Sequence, residues 1–316
     1  MNFEKKIQDW LLEPNQPIVQ YFTLSSLLDR KESEPDVREA RSNILKKGWA
    51  HDILAKQQPE GNWESVEDLY RPKYTASNWR MIVLSNFGLH FQDDERLEKG
   101  CHLFFQRWLG DEDKFEKDGE VCVSGNFARM LTRFGYGDDP RVRRIYKWLV
   151  NDQKEDGSWH CFKSDKGTLD CWEALAAFAS LPKAKRTRSI NGSIERGAEF
   201  YLERGLYEEG KRYQPWFRFH YPNHYYYDIL VGLDVITSLD FSRDRRLDYA
   251  LKFLKKRQLP NGSWALDAIH PNLGAGADYI LRENKPKRFA LEREGRSSKW
   301  ITLTALKILK RVEESS

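Results

Sequence analysis

Three copies of one pattern constrain this chain more than any other feature: Gln, three residues, Gly, Asn or Ser, then Trp. They are Gln57 with Gly61-Asn62-Trp63, Gln153 with Gly157-Ser158-Trp159, and Gln258 with Gly262-Ser263-Trp264. The first and second copies lie 96 residues apart and the second and third 105. A period that long holds two structural units rather than one, so the chain is read as a repeat architecture before anything else. Within each copy the Gly permits a backbone reversal. The Trp can then close over the turn while its indole N–H still finds a partner.

Between the copies nearly every segment has helical periodicity. The segment 15–30 starts on Asn15 as a cap, with Pro17 in its first turn. Helices starting near 75, 123, 168, 223 and 297 carry few charges, whereas those near 94, 139, 193 and 243 are amphipathic and strongly charged. The first set reads as buried on all sides and the second as half exposed. Inner and outer helices therefore alternate, and the 15–30 helix brings the inner set to about six, with the short N-terminal helix completing the outer ring. The expected fold is all-α: one domain over 1–316, an α/α toroid of about six helical hairpins. No run of strands and no Pro/Gly-rich linker competes with it.

Hydrophobic residues make up 40% and aromatics 13%, enough for a sizeable core, while 52 basic against 48 acidic residues leave a net charge of only +4. That balance argues against nucleic acid as a partner. The N-terminus has no apolar core of a signal peptide, and no apolar run is long enough to span a membrane. Cys101, Cys122, Cys161 and Cys171 form no CxxC pair, so reduced thiols and a cytoplasmic location are expected. Oligomeric state is not encoded in any of these features.

The stretches "WLVNDQKEDGSW" (148–159) and "FLKKRQLPNGSW" (253–264) resemble the QW motif of squalene and oxidosqualene cyclases. Related repeats occur in protein prenyltransferase β subunits. The resemblance spans essentially the whole chain, as in the single-domain microbial proteins known as prenyltransferase and squalene oxidase repeat proteins. It implies the toroid fold, with Gln and Trp tying outer helices together, and terpene cyclase, isomerase or transferase chemistry on an isoprenoid. No DxDD acid motif occurs. Asp170-Cys171-Trp172-Glu173-Ala174 is similar to the Asp-Cys-Thr-Ala-Glu acid motif only in its first two residues. The prenyltransferase resemblance implies Asp170, Cys171 and His224 as imperfect counterparts of a zinc set. No cofactor is expected, with zinc or magnesium as the minor alternative.

Polar and aromatic residues concentrate near the predicted N-terminal ends of the inner helices, where a central cavity is expected. The candidate ligand-binding residues are Trp79, Arg80, Asn126, His160, Trp216, His220, Tyr221, Tyr225, Lys299 and Trp300. The candidate catalytic residues are Asp228, Asp170, Glu173 and His224. Aromatic faces stabilise cations, and a low-dielectric pocket can raise an Asp until it serves as an acid. His224 and Asp228, four apart, are expected on one helix face. Arg80 and Lys299 on apolar helices imply partner carboxylates or a wet cavity. The expected function is therefore binding of an isoprenoid or other small molecule, with acid-initiated cyclase or isomerase chemistry. A non-catalytic binding or scaffold toroid, a zinc-dependent prenyltransferase-like enzyme, and a carbohydrate-active enzyme using Asp170 or Glu173 with Asp228 are the alternatives.

Overall fold

The computed structural model describes residues 4–110, 119–160, 168–207, 213–224, 226–270 and 286–315. The fold is all-α. In chain order the described helices are α1 (Lys5–Leu11), α2 (Pro17–Phe22), α3 (Pro35–Asn43), α4 (Trp49–Leu54), α5 (Ser77–Ser85), α6 (Glu95–Arg107) and α7 (Val121–Leu131). They continue with α8 (Pro140–Asp152), α9 (Glu173–Ser180), α10 (Arg188–Glu203), α11 (Ile229–Ser238), α12 (Asp248–Lys256) and α13 (Lys299–Ser315). One two-residue antiparallel ladder pairs Trp264 with Ser298 and Ala265 with Ser297.

The low-charge helices form the inner ring. α5 packs on α7, α7 on α9, α9 on α11, α11 on α13 and α13 back on α2. The α7–α9 contact is close because Gly125 has no side chain: a Cβ there would lie 2.6 Å from the Glu173 carbonyl carbon. Two inner helices end in a π turn, α2 through Thr23–Leu27 and α7 through Thr132–Tyr136. Such turns re-aim the side chains they carry and recur at functional sites.

Each repeat is a clasp between one outer helix and the next. Trp63, Trp159 and Trp264 are fully buried and donate their indole N–H to Ile53 O, Leu149 O and Leu254 O, ten residues back in the preceding outer helix. The Gln side-chain amides donate to the carbonyls of Gly61, Gly157 and Gly262. Gln57 also reaches Arg96 O of α6, and Gln153 reaches Ser193 O of α10. The middle Gly has φ +83°, and a Cβ on it would lie 2.3 Å from Arg196 O. The third copy rests on α1, where a Cβ at Gly262 would meet Ile7 at 2.9 Å. The N-terminal helix thus takes the outer place expected of it.

Two expected boundaries move, and both matter for the site. The helix expected from 223 starts at Ile229, and the described residues before it form an irregular strap that enters the ring. The helix expected from 168 starts at Glu173, after a 3-10 turn over Leu169–Cys171.

Candidate functional site

The strap fills the N-terminal half of the lumen. His224 O accepts from Asn126 Nδ2 of α7 at 2.7 Å, and the His224 ring lies edge-on to Trp79 of α5. Tyr221 stacks on Trp300 of α13, 4.7 Å between centroids. His220 pairs with Asp228, the cap of α11. Tyr74 and His270 complete the layer, stacked 3.6 Å apart. Burial drives His224 well below the ordinary histidine value and takes His270 down to about 3, with neighbouring histidines adding to both shifts. This layer is a packed aromatic and imidazole core where an open pocket was expected.

The open part of the lumen is lined by the C-terminal ends of α2, α5 and α7, by residues along α9 and α11, and by the first half of α13. It is a cavity of about 290 Å³, at the small end of the roughly 300–1,000 Å³ usual for small-molecule sites. Its apolar wall includes Phe22, Trp172, Trp300, Ile301, Leu303 and Leu230, and its charged residues are Arg129, Arg133, Lys307 and Asp234. Asp234 is the single acid in that lining among the described residues.

Each charge has a defined setting. Arg129 is buried over the Trp172 ring at 4.8 Å, and its Nη2 donates to Asn126 Oδ1 at 2.6 Å. Burial, and then the like charge of Arg133, pull its guanidinium down to about 9, so it stays cationic at neutral pH. Arg133, carried by the π turn after α7, donates to Asn86 Oδ1 at 2.5 Å. Asp234 accepts from Arg311 Nη1 at 2.7 Å, and that guanidinium also binds Asp234 O and Thr237 Oγ1. Asp234 is held below the usual carboxylate range although burial opposes this, chiefly through the charges of Arg311 and Lys307. Lys307 lies over the Phe22 ring at 4.9 Å. It is half-buried in the cavity wall, and that loss of solvent lowers its ammonium to about 8.

Of the expected ligand-binding residues, Trp300 alone lines this cavity, among the described residues. Trp79 is core and donates to Tyr70 O. Arg80 covers the Phe289 ring at 3.8 Å, and desolvation lowers it to about 10. Asn126 positions Arg129 and the strap. Tyr221 and His220 belong to the filled layer. His160 follows Trp159, half-buried and away from the cavity lining. Trp216 donates to Asp170 Oδ1 at 3.1 Å. Lys299 turns outward to Glu13 and Asn15, at 2.7 and 3.1 Å. Tyr225 and Cys161 lie outside the described residues.

The expected catalytic set is not assembled at the cavity. His224 and Asp228 do not share a helix face, because neither lies within the helix. Asp228 pairs with His220 instead. Asp170 sits in the 3-10 turn, and Glu173 is fully buried at the start of α9. Asp170, Glu173 and Asp228 are all absent from the cavity lining. Among the described residues no three His, Cys, Asp or Glu side chains are arranged to hold a metal ion, so Asp170, Cys171 and His224 form no such site there.

The residues missed were Arg129, Arg133, Asp234 and Lys307. Their signal was in the sequence: Arg129 and Arg133 stand four apart on an apolar helix, and Asp234 is the sole charge in "ILVGLDVITS".

No family model and no curated protein matches the chain. Among solved structures it is similar to a protein from Actinoplanes, at 13% identity and a TM-score of 0.45, over 98% of both chains. It is also similar to the apo type II terpene cyclase MstE from Scytonema, at 16% identity and a TM-score of 0.47, over 96% of this chain and 88% of that one. A variant of MstE in complex with its substrate geranylgeranyl dihydroxybenzoate gives 16% identity and a TM-score of 0.46 over the same shares. At this identity the lumen's own geometry, rather than any likeness, defines what the site can bind.

Proposed function

We propose that this protein is a terpene-cyclase-like toroid whose lumen binds a small amphipathic anion: a carboxylate or phosphate at one end of a compact isoprenoid or similarly apolar body. One observation carries the reading. Among the described residues, Arg129, Arg133 and Lys307 share a cavity with a single carboxylate, Asp234, which already faces Arg311. An uncompensated cluster of cations in a partly enclosed site favours a ligand that brings the missing negative charge.

Cations also suit the C-terminal ends of helices, where the dipole is negative. The hydrogen bonds of these guanidinium groups point elsewhere. Arg133 holds a side-chain amide oxygen, and Arg129 holds another together with Asn223 O of the strap. Those contacts orient the two groups around the cavity. The aromatic and aliphatic wall then takes the apolar body, and the volume sets its size.

Acid initiation by Asp228 is not part of this reading. Both of its oxygens accept N–H bonds, and it is shut off from solvent. The test is a titration with geranic acid and its methyl ester, read by quenching of the tryptophans that line the cavity. The acid is expected to bind more tightly than the ester, and Arg129→Met or Arg133→Met to weaken the acid by about 10- to 100-fold, as lost charge-assisted hydrogen bonds do. Equal binding of acid and ester would remove the reading.

A further inference from the structure

We propose that Lys307 is a reactive amine that condenses with the carbonyl carbon of a small aldehyde- or keto-bearing acid held in the lumen. The inference rests on the lumen being an anion site and adds a covalent step to it.

Three lysines of α13 are set differently. Lys299 is tied to Glu13 and Asn15, and Lys310 to Asp29 and the carbonyls of Ser26 and Leu27. Lys307 has no hydrogen-bond acceptor among the described residues. Its Nζ faces the Phe22 ring and the cavity. The charged groups around it are Asp234, Arg311 and Arg133. Asp234 spends Oδ1 on Arg311, so the amine is near a carboxylate without being hydrogen-bonded to it. Partial burial and the two guanidinium groups disfavour the ammonium form while Asp234 favours it, and a lysine in an apolar wall beside other cations is the standard setting of an imine-forming amine. A ligand whose carboxylate meets Arg129 and Arg133 would share this small cavity with the Lys307 nitrogen.

In the step itself the neutral amine donates its lone pair to the carbonyl carbon. A C–N bond forms, the C–O π pair moves to oxygen, and a proton passes from nitrogen to that oxygen. Loss of water then gives the imine, which takes up one proton from solvent to become the iminium. Nothing is oxidised or reduced, and one water leaves.

The test uses the full chain with 4-formylbenzoate and cyanoborohydride, which reduces an imine to a stable amine, followed by peptide mapping. Lys307 is expected to be modified at least about tenfold faster than Lys299, Lys310 or exposed lysines, as expected of an activated amine. Excess benzoate should protect it, and the methyl ester of the reagent should lose the preference. In Lys307→Arg the fast-labelling site should disappear while the other lysines label unchanged. Labelling of Lys307 no faster than exposed lysines, with benzoate bound, overturns the amine's role and leaves the anion site standing. Absence of both benzoate binding and selective labelling overturns the two together.

Discussion

His220 Nδ1 lies 2.5 Å from Asp228 Oδ2, and the His220 backbone N–H donates to that same oxygen. Asp228 Oδ1 accepts from Val231 N and so caps α11. With backbone N–H donors on both oxygens the carboxylate acts as a fixed acceptor, and the imidazole meets it through Nδ1. The pair fastens the strap to the ring.

Asp228→Ala should therefore cost about 2–4 kcal/mol, combining a lost helix cap with a buried imidazole left without its acceptor. Asp228→Asn, which can still cap through its carbonyl oxygen, should cost less. Urea unfolding with an unchanged m-value measures both. A loss under about 0.5 kcal/mol for the Ala variant, the size of an ordinary surface change, would contradict the fastening role.

The clasps make a second prediction. Gln153→Ala removes donors to Gly157 O and Ser193 O and the acceptor used by Ser193 Oγ. It should destabilise by about 1–3 kcal/mol. Gly157→Ala should be worse than Gln153→Ala, since it combines a left-handed φ with a Cβ 2.3 Å from Arg196 O. Thermal melts of the two variants side by side give the order.

Much of this was legible in the sequence and part was not, for a physical reason. The Gln-to-Trp repeats and the alternation of charged with uncharged helices are local patterns, and they carry the ring. Which part of the lumen stays open depends on residues 216–224 and 226–228 folding inward, a nonlocal event that no periodicity encodes. Reading 223–228 as helix placed His224 beside Asp228 and left an open pocket where the strap packs. The rule that a charge on an apolar inner helix marks a wet space is sound, but Arg80 and Lys299 turn away to Phe289 and Glu13. Arg129, Arg133 and Lys307 obey it.

Stability should depend on pH through two histidines. The folded values of His224 and His270 are depressed, the latter to about 3, so the unfolded chain binds protons first as pH falls below about 6.5. Their contribution is complete above that value and is lost on acidification toward the folded values. The expected slope is about 2.7 kcal/mol per pH unit for the pair, or about 1.4 for one. Urea unfolding between pH 6.5 and 5 stays above the range of the depressed carboxylates. In that window His270→Phe should halve the slope, and an unchanged slope would refute the assignment.

Asp234→Asn should strengthen anion binding rather than weaken it. Arg311 keeps Asp234 O and Thr237 Oγ1 as acceptors, so it stays in place while the one negative charge of the cavity disappears. An increase of about 3- to 10-fold is expected, larger at low salt. Calorimetry with geranic acid at two salt concentrations measures it.

Lys310 of α13 binds the carbonyls of Ser26 and Leu27, about 280 residues earlier in the chain. During synthesis the early hairpins can stack as they emerge, each on its predecessor. The lumen nevertheless has one side missing until α13 arrives to bring Trp300 and Lys307. The compartment comes into being only when α13 docks. Until then the apolar faces of α2 and α11 lie bare. That interval, set by topology, is when a nascent chain of this kind is most exposed to aggregation and most dependent on chaperones.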